Sequence, residues 1–248
     1  MAKRKQKKPT LAQSADRHAL YERAVQCAEA EIDFVESTFK TIRKRPARTL
    51  REDFCGTANV CCEWVRRHKD NQAIGVDLDA EVLAWGREQR VAPLRKGQQQ
   101  RITLLEGDVL TAKSAPSDVV LAMNFSYWLF KERKQLLHYF ETAHKNLVAD
   151  GVFFLDAYGG YDSFREINEE REIEDEHGSF TYIWDQDSFN PVNNHLICHI
   201  HFAFDDVSVM ENAFSYDWRL YTLPEICDLL QQAGFHKTTV YWQGWDED

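Results

Sequence analysis

The sequence of 248 residues has no apolar run that approaches the roughly 20 residues needed to cross a bilayer, so no membrane contact is expected. The first ten residues, MAKRKQKKPT, also lack the apolar core of a secretory signal, which predicts a cytoplasmic protein. None of the six cysteines forms a Cys-x-x-Cys pair matched by a second such pair. Neither a structural zinc site nor a disulfide framework is therefore expected, and no metal is predicted.

Positive charge is scarce, because 30 lysines and arginines oppose 40 acidic residues, for a net charge of −10. Five of these cations lie in the first eight residues, so the remainder of the chain is more acidic still. An acidic surface repels phosphate backbones, which argues against a nucleic-acid groove. Residues 1–14 are predicted to be a disordered basic tail. Composition leaves open whether the protein is a homo-oligomer.

Apolar segments typical of strands and helices alternate along the first two thirds of the chain. Strands are predicted at residues 49–54, 73–76, 102–105, 119–123 and 152–155. Helical spacing separates them, most clearly in an amphipathic helix that carries Leu136, Leu137, Phe140 and Leu147 and stops at Asp150-Gly151. This alternation predicts an α/β fold with a doubly wound, mostly parallel sheet and helices on both faces. Ligands bind such sheets at the carboxyl ends of the strands.

After Gly159 the alternation stops. An acidic stretch at 166–176, expected to be a solvated face, precedes strand-like segments at 180–184 and 196–204. A capping box at Thr222–Glu225 opens a helix that ends at Gly234, and a last strand is predicted over Lys237–Trp242. The predicted organisation has four parts: the tail at 1–14, a helical cap at 15–45, a Rossmann-like core at 46–160 and 216–248, and an antiparallel β insertion at 161–215 that forms a lobe over the ligand edge.

A short acidic and glycine-containing turn follows the first strand. It has Glu52, then Phe54, Gly56 and Ala58 at alternate positions. It resembles the S-adenosylmethionine (SAM)-binding motif of class I methyltransferases, an acidic residue followed by Gly-x-Gly-x-Gly. Phe54 replaces the first glycine and implies a turn geometry unlike the commonest one. Gly56 keeps the middle position, where a side chain would collide with a bound ligand.

Three later segments agree with this resemblance. Asp77 ends the second strand about 20 residues beyond the turn, where nucleotide-binding folds place an acid that grips ribose hydroxyls. Asp79 is the alternative, but it is better placed as a helix N-cap. Asp108 follows the third strand, where the family's acid accepts from the adenine amino group. The fourth strand opens into a polar and aromatic segment at 124–127, which in the family lies beside the methyl group.

The resemblance implies a class I SAM-dependent methyltransferase, with a seven-stranded sheet and S-adenosylhomocysteine as product. It is closest to small-molecule N- and O-methyltransferases, because the helical cap and the lobe would both close the site over a small acceptor. The cofactor-binding residues that it implies are Tyr21, Glu52, Phe54, Cys55, Gly56, Thr57, Asp77, Leu78, Asp108, Val109, Asn124 and Phe125.

The sulfonium of SAM is already an activated leaving group, so the protein need only align the acceptor for in-line displacement. Asn124 and Tyr127 are the catalytic candidates. The acceptor-binding candidates are Tyr127, Trp128, Tyr158, Trp184, His201, Trp218 and Arg219. Core packing is the alternative role for each aromatic side chain. His201 is either a general base or part of a solvated strand face, and Arg219 would suit an acceptor carboxylate.

Three other functions compete. A nicotinamide-dependent oxidoreductase needs Gly-x-Gly-x-x-Gly, and Phe54 and Asn59 occupy two of those three glycine positions. A SAM-binding regulatory protein without catalysis would keep only the fold, and Phe54 favours it. A methyltransferase of RNA or protein is the third: the acidic core argues against RNA, and a protein side chain stays open.

Overall fold

The computed structural model describes residues 8–242 and 244, which form two sheets and their helices. Strands β1 to β9 span Thr49–Asp53, Gln72–Asp77, Ile102–Glu106, Ser117–Ala122, Leu147–Leu155, Ile167–Asp175, Gly178–Asn190, His195–Ala203 and Val209–Arg219. Helices α1 to α8 span Leu11–Ser14, Arg17–Val25, Ala28–Arg43, Asn59–Arg67, Ala80–Gly86, Lys96–Gln99, Arg133–Lys145 and Leu223–Gln232.

The first sheet has the order β3-β2-β1-β4-β5, and each of its four pairings is parallel. This confirms the predicted α/β class. The strand order reverses between β1 and β4, the point at which such sheets open a ligand crevice. The described residues give this sheet five strands, not the seven expected. The predicted strand over Lys237–Trp242 is irregular, with Tyr241 packed edge-on against Phe34 at 5.3 Å.

Helices cover both faces of the parallel sheet. On one face α3 and α4 bury Ile32, Phe39 and Trp64 against the sheet. On the other face α7 and α8 bury Phe140 and Leu229. Helix α3 therefore belongs to the core layer, although the sequence predicts it as part of the cap.

Strands β6 to β9 form a four-stranded antiparallel meander, the lobe. Its strands run from Ile167 to Arg219, so its last strand extends past the predicted boundary at residue 215. Helix α2 packs against the lobe through Leu20 and Ala24, which lie in one buried cluster with Phe180 and Phe202. Of the predicted helical cap, α2 is thus the part that meets the lobe.

Three local predictions need correction. Thr10 caps α1, so residues 11–14 of the predicted tail are helical, and residues 1–7 lie outside the described residues. Helix α7 ends at Lys145, and Leu147 already begins β5. Thr222 precedes α8 but makes no side-chain capping bond, and Glu225 accepts a hydrogen bond from Arg219 at 2.7 Å, so no capping box forms.

Candidate functional site

The turn between β1 and α4 has left-handed backbone at every position that the motif gives to glycine. The φ angles are 60° at Phe54, 52° at Gly56 and 61° at Ala58. Phe54 and Ala58 thus adopt a conformation that costs an ordinary residue about 1–2 kcal/mol. The turn keeps a glycine-like backbone without two of its glycines, so the replacement by Phe54 does not remove the left-handed conformation.

The ring of Phe54 points into the core rather than toward the turn. It packs against Phe130 and Tyr139, with centroid distances of 6.1 and 5.5 Å. A Cβ placed on Gly56 would meet no atom of the chain within 4 Å. The backbone angle alone does not require glycine here, since Phe54 and Ala58 adopt the same conformation, but the open space at Gly56 lets a ligand approach this backbone closely.

Asp77 ends β2 beside this turn and holds it. One carboxylate oxygen accepts from the Gly56 amide at 2.7 Å, and the other accepts from the Asp79 amide at 2.9 Å. Asp79 in turn caps α5 by accepting from the amides of Glu81 and Val82, as predicted. Each oxygen of Asp77 has a further lone pair, so the carboxylate can also accept from a diol.

Asp156, at the end of β5, holds the loop after β4. Its two oxygens accept from the amides of Asn124 and Phe125, each at 2.9 Å. Both of these residues have a φ of 56°, so the carboxylate stabilises two consecutive left-handed residues. The sequence predicts sites at both Asn124 and Phe125, but it does not identify the acid that positions them.

One buried and two half-buried carboxylates, those of Glu52, Glu31 and Asp156, lie near the carboxyl ends of β1 and β5 without a basic partner among the described residues. Burial raises the pKa of Glu52 to about 8, of Glu31 to about 7 and of Asp156 to about 6. The charge of Asp156 raises the pKa of Glu31 further, and Glu31 raises that of Glu52. Glu31 Oε2 is buried and has no hydrogen-bond partner among the described residues. Such a set of acids suits a ligand that carries positive charge.

The free energy of unfolding is expected to increase as the pH falls from about 8 to 6. Raised folded-state pKa values mean that the folded protein binds these protons more tightly than the unfolded chain. The stabilisation is complete below the unfolded pKa values and is lost as the pH rises through about 6 for Asp156, 7 for Glu31 and 8 for Glu52. Urea titrations across this range measure it. Glu52→Gln should flatten the pH dependence, and an unchanged slope in that variant would contradict this assignment.

Helix α2 connects the turn to the lobe. Thr57 Oγ1 donates to Glu22 Oε1 at 2.5 Å, and Arg90 forms an ion pair with the other oxygen of Glu22. One residue earlier, Tyr21 packs against Phe214 of β9, with a centroid distance of 4.9 Å. The predicted cofactor residue Tyr21 therefore lies where α2, the lobe and the sheet edge meet.

A cavity of about 340 Å³ lies between the lobe and the carboxyl ends of β4 and β5. Gln186 supports its wall by donating to the carbonyls of Asp162 and Arg165 at 2.9 and 2.8 Å. Seven of its 16 lining residues are aromatic. The aromatic residues in its lining are Tyr21, Phe125, Tyr158, Tyr182, Trp184, Tyr216 and Trp218.

The cavity brings together some of the predicted acceptor residues. Asn124, Tyr158, Trp184 and Trp218 line it. Trp128 lies behind the wall, fully buried, with its ring stacked on Phe125 at 5.2 Å.

Three predicted residues lie away from the cavity. Tyr127 is fully buried and its hydroxyl donates to the Asp156 carbonyl at 2.8 Å, so it is a core residue. His201 lies on the opposite face of β8 from the cavity-lining Ile200, and its Nδ1 accepts from the Asn212 amide at 2.9 Å. Arg219 is paired with Glu225 at 2.7 Å and lines a separate polar cavity.

The remaining predicted cofactor residues follow the strand ends. Cys55 is buried in the turn, and Leu78 is 74% exposed directly after β2. Asp108 is exposed after β3, where it accepts from the Leu110 amide at 2.9 Å, and Val109 is buried beside it. All of them thus border the same edge of the parallel sheet.

No group of three or more His, Cys, Asp or Glu side chains among residues 8–242 and 244 is arranged to hold a metal ion. Over the same residues, no helix has both the length and the apolar character needed to cross a membrane.

A comparison with protein-family models gives no match, and a comparison with curated proteins gives none either. Solved structures do match. CalS10, an amino pentose methyltransferase from Micromonospora echinaspora, has a TM-score of 0.67 at 16% identity, over 88% of this chain and 87% of that one. Streptomyces venezuelae DesVI has a TM-score of 0.69 at 16% identity, over 88% and 87%. The sugar N-methyltransferase KedS8 from Streptoalloteichus sp ATCC 53650 has 0.67 at 18%, over 94% and 90%. The chain therefore has the fold of SAM-dependent methyltransferases, lobe included.

Proposed function

We propose that this protein transfers a methyl group from SAM to a small-molecule acceptor held in the aromatic cavity. The observation that carries the proposal is the position of the cavity. It opens beside Asn124 and Phe125, at the same sheet edge as the Gly56 turn and Asp77. A ligand held by the turn would therefore extend toward a cavity large enough for a small organic molecule.

The residues at this edge fit the chemistry of SAM. Asp77 has lone pairs for the ribose diol, and Gly56 presents bare backbone to the ligand. Glu31, Glu52 and Asp156 lack basic partners among the described residues, so the positive ammonium and sulfonium groups of the cofactor would supply their counter-charge. Asp108, exposed after β3, would accept from the adenine amino group.

When bound, the cofactor supplies a methyl group on a positively charged sulfur. The chain positions the acceptor and excludes water. Asp156 fixes the backbone of Asn124 and Phe125, which border the cavity. Helix α2 and the lobe border the opposite side, where Tyr21 packs against Phe214. Orientation of this kind can lower a barrier by about 7–11 kcal/mol in favourable cases.

The solved structures with this fold support a small acceptor. CalS10 and KedS8 are named for methylating an amino pentose and the nitrogen of a sugar. Our chain has the same architecture, and its lobe covers a cavity rather than an open groove. The Phe54 ring, which would favour a SAM-binding protein without catalysis if it blocked the turn, instead packs in the core.

A thermal-shift titration with SAM, S-adenosylhomocysteine, NAD and NADP tests the cofactor. A ligand present at 100 times its dissociation constant should stabilise the folded state by about 2.7 kcal/mol. We expect a shift with the two sulfur nucleosides alone. A shift with NAD or NADP alone would overturn the proposal in favour of an oxidoreductase, and no shift with any of them would indicate a fold without cofactor binding.

A further inference from the structure

The inner face of β6 places a carboxylate in the cavity wall. Glu169 and Ile167 line the cavity, and Glu169 lies opposite the cavity-lining Trp184 in the β6–β7 register. Side chains alternate along a strand, so Glu170 points to the other face. The acidic stretch therefore has two faces, of which one contributes to the cavity.

The charge of the lining is entirely negative among the described residues. Asp162 and Glu169 line the cavity, and no Lys, Arg or His side chain does. Two arginines that contact lining residues also have partners outside the cavity lining or within it. Arg165 pairs with Asp162 at 2.8 Å, and Arg171 donates to the Ala24 carbonyl while its guanidinium lies over the Tyr182 ring. Glu169 forms no ion pair among the described residues, so its charge is available to a ligand.

Opposite this carboxylate the wall is built of aromatic rings. Tyr216 and Trp218 stack at 4.3 Å with an interplanar angle of 26°, and Trp184 lies 6.3 Å from Trp218. Ring faces carry partial negative charge and attract ammonium groups. An anionic acceptor would meet the charge of Glu169, which has no ion-pair partner among the described residues, whereas Arg165 offsets the charge of Asp162.

We propose that the acceptor is a primary or secondary amine that enters as its ammonium form, and that Glu169 is the residue that selects it over neutral and anionic molecules. This inference rests on the proposed function and adds the class of acceptor to it. Glu169 attracts the ammonium, and the rings of Trp184, Tyr216 and Trp218 hold its apolar part.

Methyl transfer to such an acceptor proceeds through the neutral amine and conserves charge. The bound ammonium loses one proton to water, which gives the neutral amine. The nitrogen lone pair then forms the new nitrogen–carbon bond while the carbon–sulfur bond breaks and its electron pair stays on sulfur. The products are a methylated ammonium ion and neutral S-adenosylhomocysteine, and the cavity again holds one positive charge.

The charge preference is tested with choline and its neutral isostere 3,3-dimethylbutan-1-ol, titrated into the full-length protein with and without S-adenosylhomocysteine. Tryptophan fluorescence reports binding, because Trp184 and Trp218 line the cavity. We expect choline to bind about fivefold more tightly than the isostere. Glu169→Gln should reduce this preference about threefold, whereas Glu170→Gln on the outer face should leave it unchanged.

Equal affinity for the two probes, no saturable binding of choline, or tighter binding of 3,3-dimethylbutanoate would each overturn the proposal. The same effect from Glu169→Gln and Glu170→Gln would overturn the role of Glu169. Calorimetry with S-adenosylhomocysteine on the same proteins distinguishes a failure of the amine-acceptor proposal from a failure of the proposed function. Intact nucleoside binding without a preference for choline rejects the amine acceptor alone, and absent nucleoside binding rejects the proposed function.

Discussion

Replacing Arg51 with methionine is expected to lower the free energy of unfolding by about 3–5 kcal/mol. Arg51 lies in β1 and is fully buried, and its Nε donates to Asp53 at 2.7 Å. The same guanidinium donates to the Ala112 carbonyl and the Ser114 hydroxyl, each at 3.0 Å. Methionine leaves the Asp53 carboxylate buried with only the Tyr139 hydroxyl, at 3.1 Å, as a partner.

Urea unfolding of three variants separates a buried charge from a surface one. Arg51→Met should show the full loss, and Arg66→Met, whose pair with Glu63 is more exposed, should lose less than about 1 kcal/mol. The double variant Arg51→Met/Asp53→Leu should recover part of the loss, because it also removes the stranded carboxylate. A loss below 1 kcal/mol in Arg51→Met would contradict this account.

Arg51 also shows how the core supports the site. Its guanidinium holds residues 112–114 in place, a few residues after Asp108. Its own strand, β1, continues into the Gly56 turn. A folded Arg51→Met variant should therefore also bind a nucleoside more weakly than the parent chain does.

The parallel sheet was predictable because its strands are short apolar segments with clear breaks. Asp77 at the end of β2 was predictable from the same pattern, whereas Asp156 at the end of β5 was not. Asp79 as a helix cap was predictable from local chemistry alone. These features depend on a few neighbouring residues, which a sequence displays directly.

The predictions that failed concern features that depend on tertiary contacts. The segment at 237–242 has residues that favour strands, but a strand needs a partner to pair with, and here Tyr241 packs on Phe34 instead. No capping box forms at Thr222, and Arg219, brought near by β9, engages Glu225. Tyr127 follows a strand end like Asn124 does, but the short turn after β4 directs it into the core.

The alternation of side chains along the strands of the lobe could have identified more of the residues that line the cavity. Ile167 and Glu169 share a face because they are two residues apart, and Tyr182 shares a face with Trp184 for the same reason. The same rule separates His201 from the buried Ile200 and Phe202. The rule identifies which residues share a face of a strand. It does not tell which face meets the core, because that depends on how the lobe packs.

Asp77→Ala is expected to weaken SAM binding by at least about tenfold, since a charge-assisted hydrogen bond contributes about 1.5–3 kcal/mol. Asp77 would act in two ways. Its carboxylate accepts from the Gly56 amide and so holds the turn, and its remaining lone pairs would accept from the ribose diol. Calorimetry with SAM and with S-adenosylhomocysteine measures the loss, and the two ligands should weaken together because they share the ribose.

Asp79→Ala is the matched control, since it lies two residues further on and is exposed. Loss of its cap should cost about 1 kcal/mol of stability and leave the nucleoside affinity nearly unchanged. A folded Asp77→Ala variant that binds SAM as tightly as the parent chain would show that the cofactor does not contact the end of β2. A loss confined to Asp77→Ala would show that nucleoside binding depends on the carboxylate at the end of β2, through the Gly56 turn, the ribose diol or both.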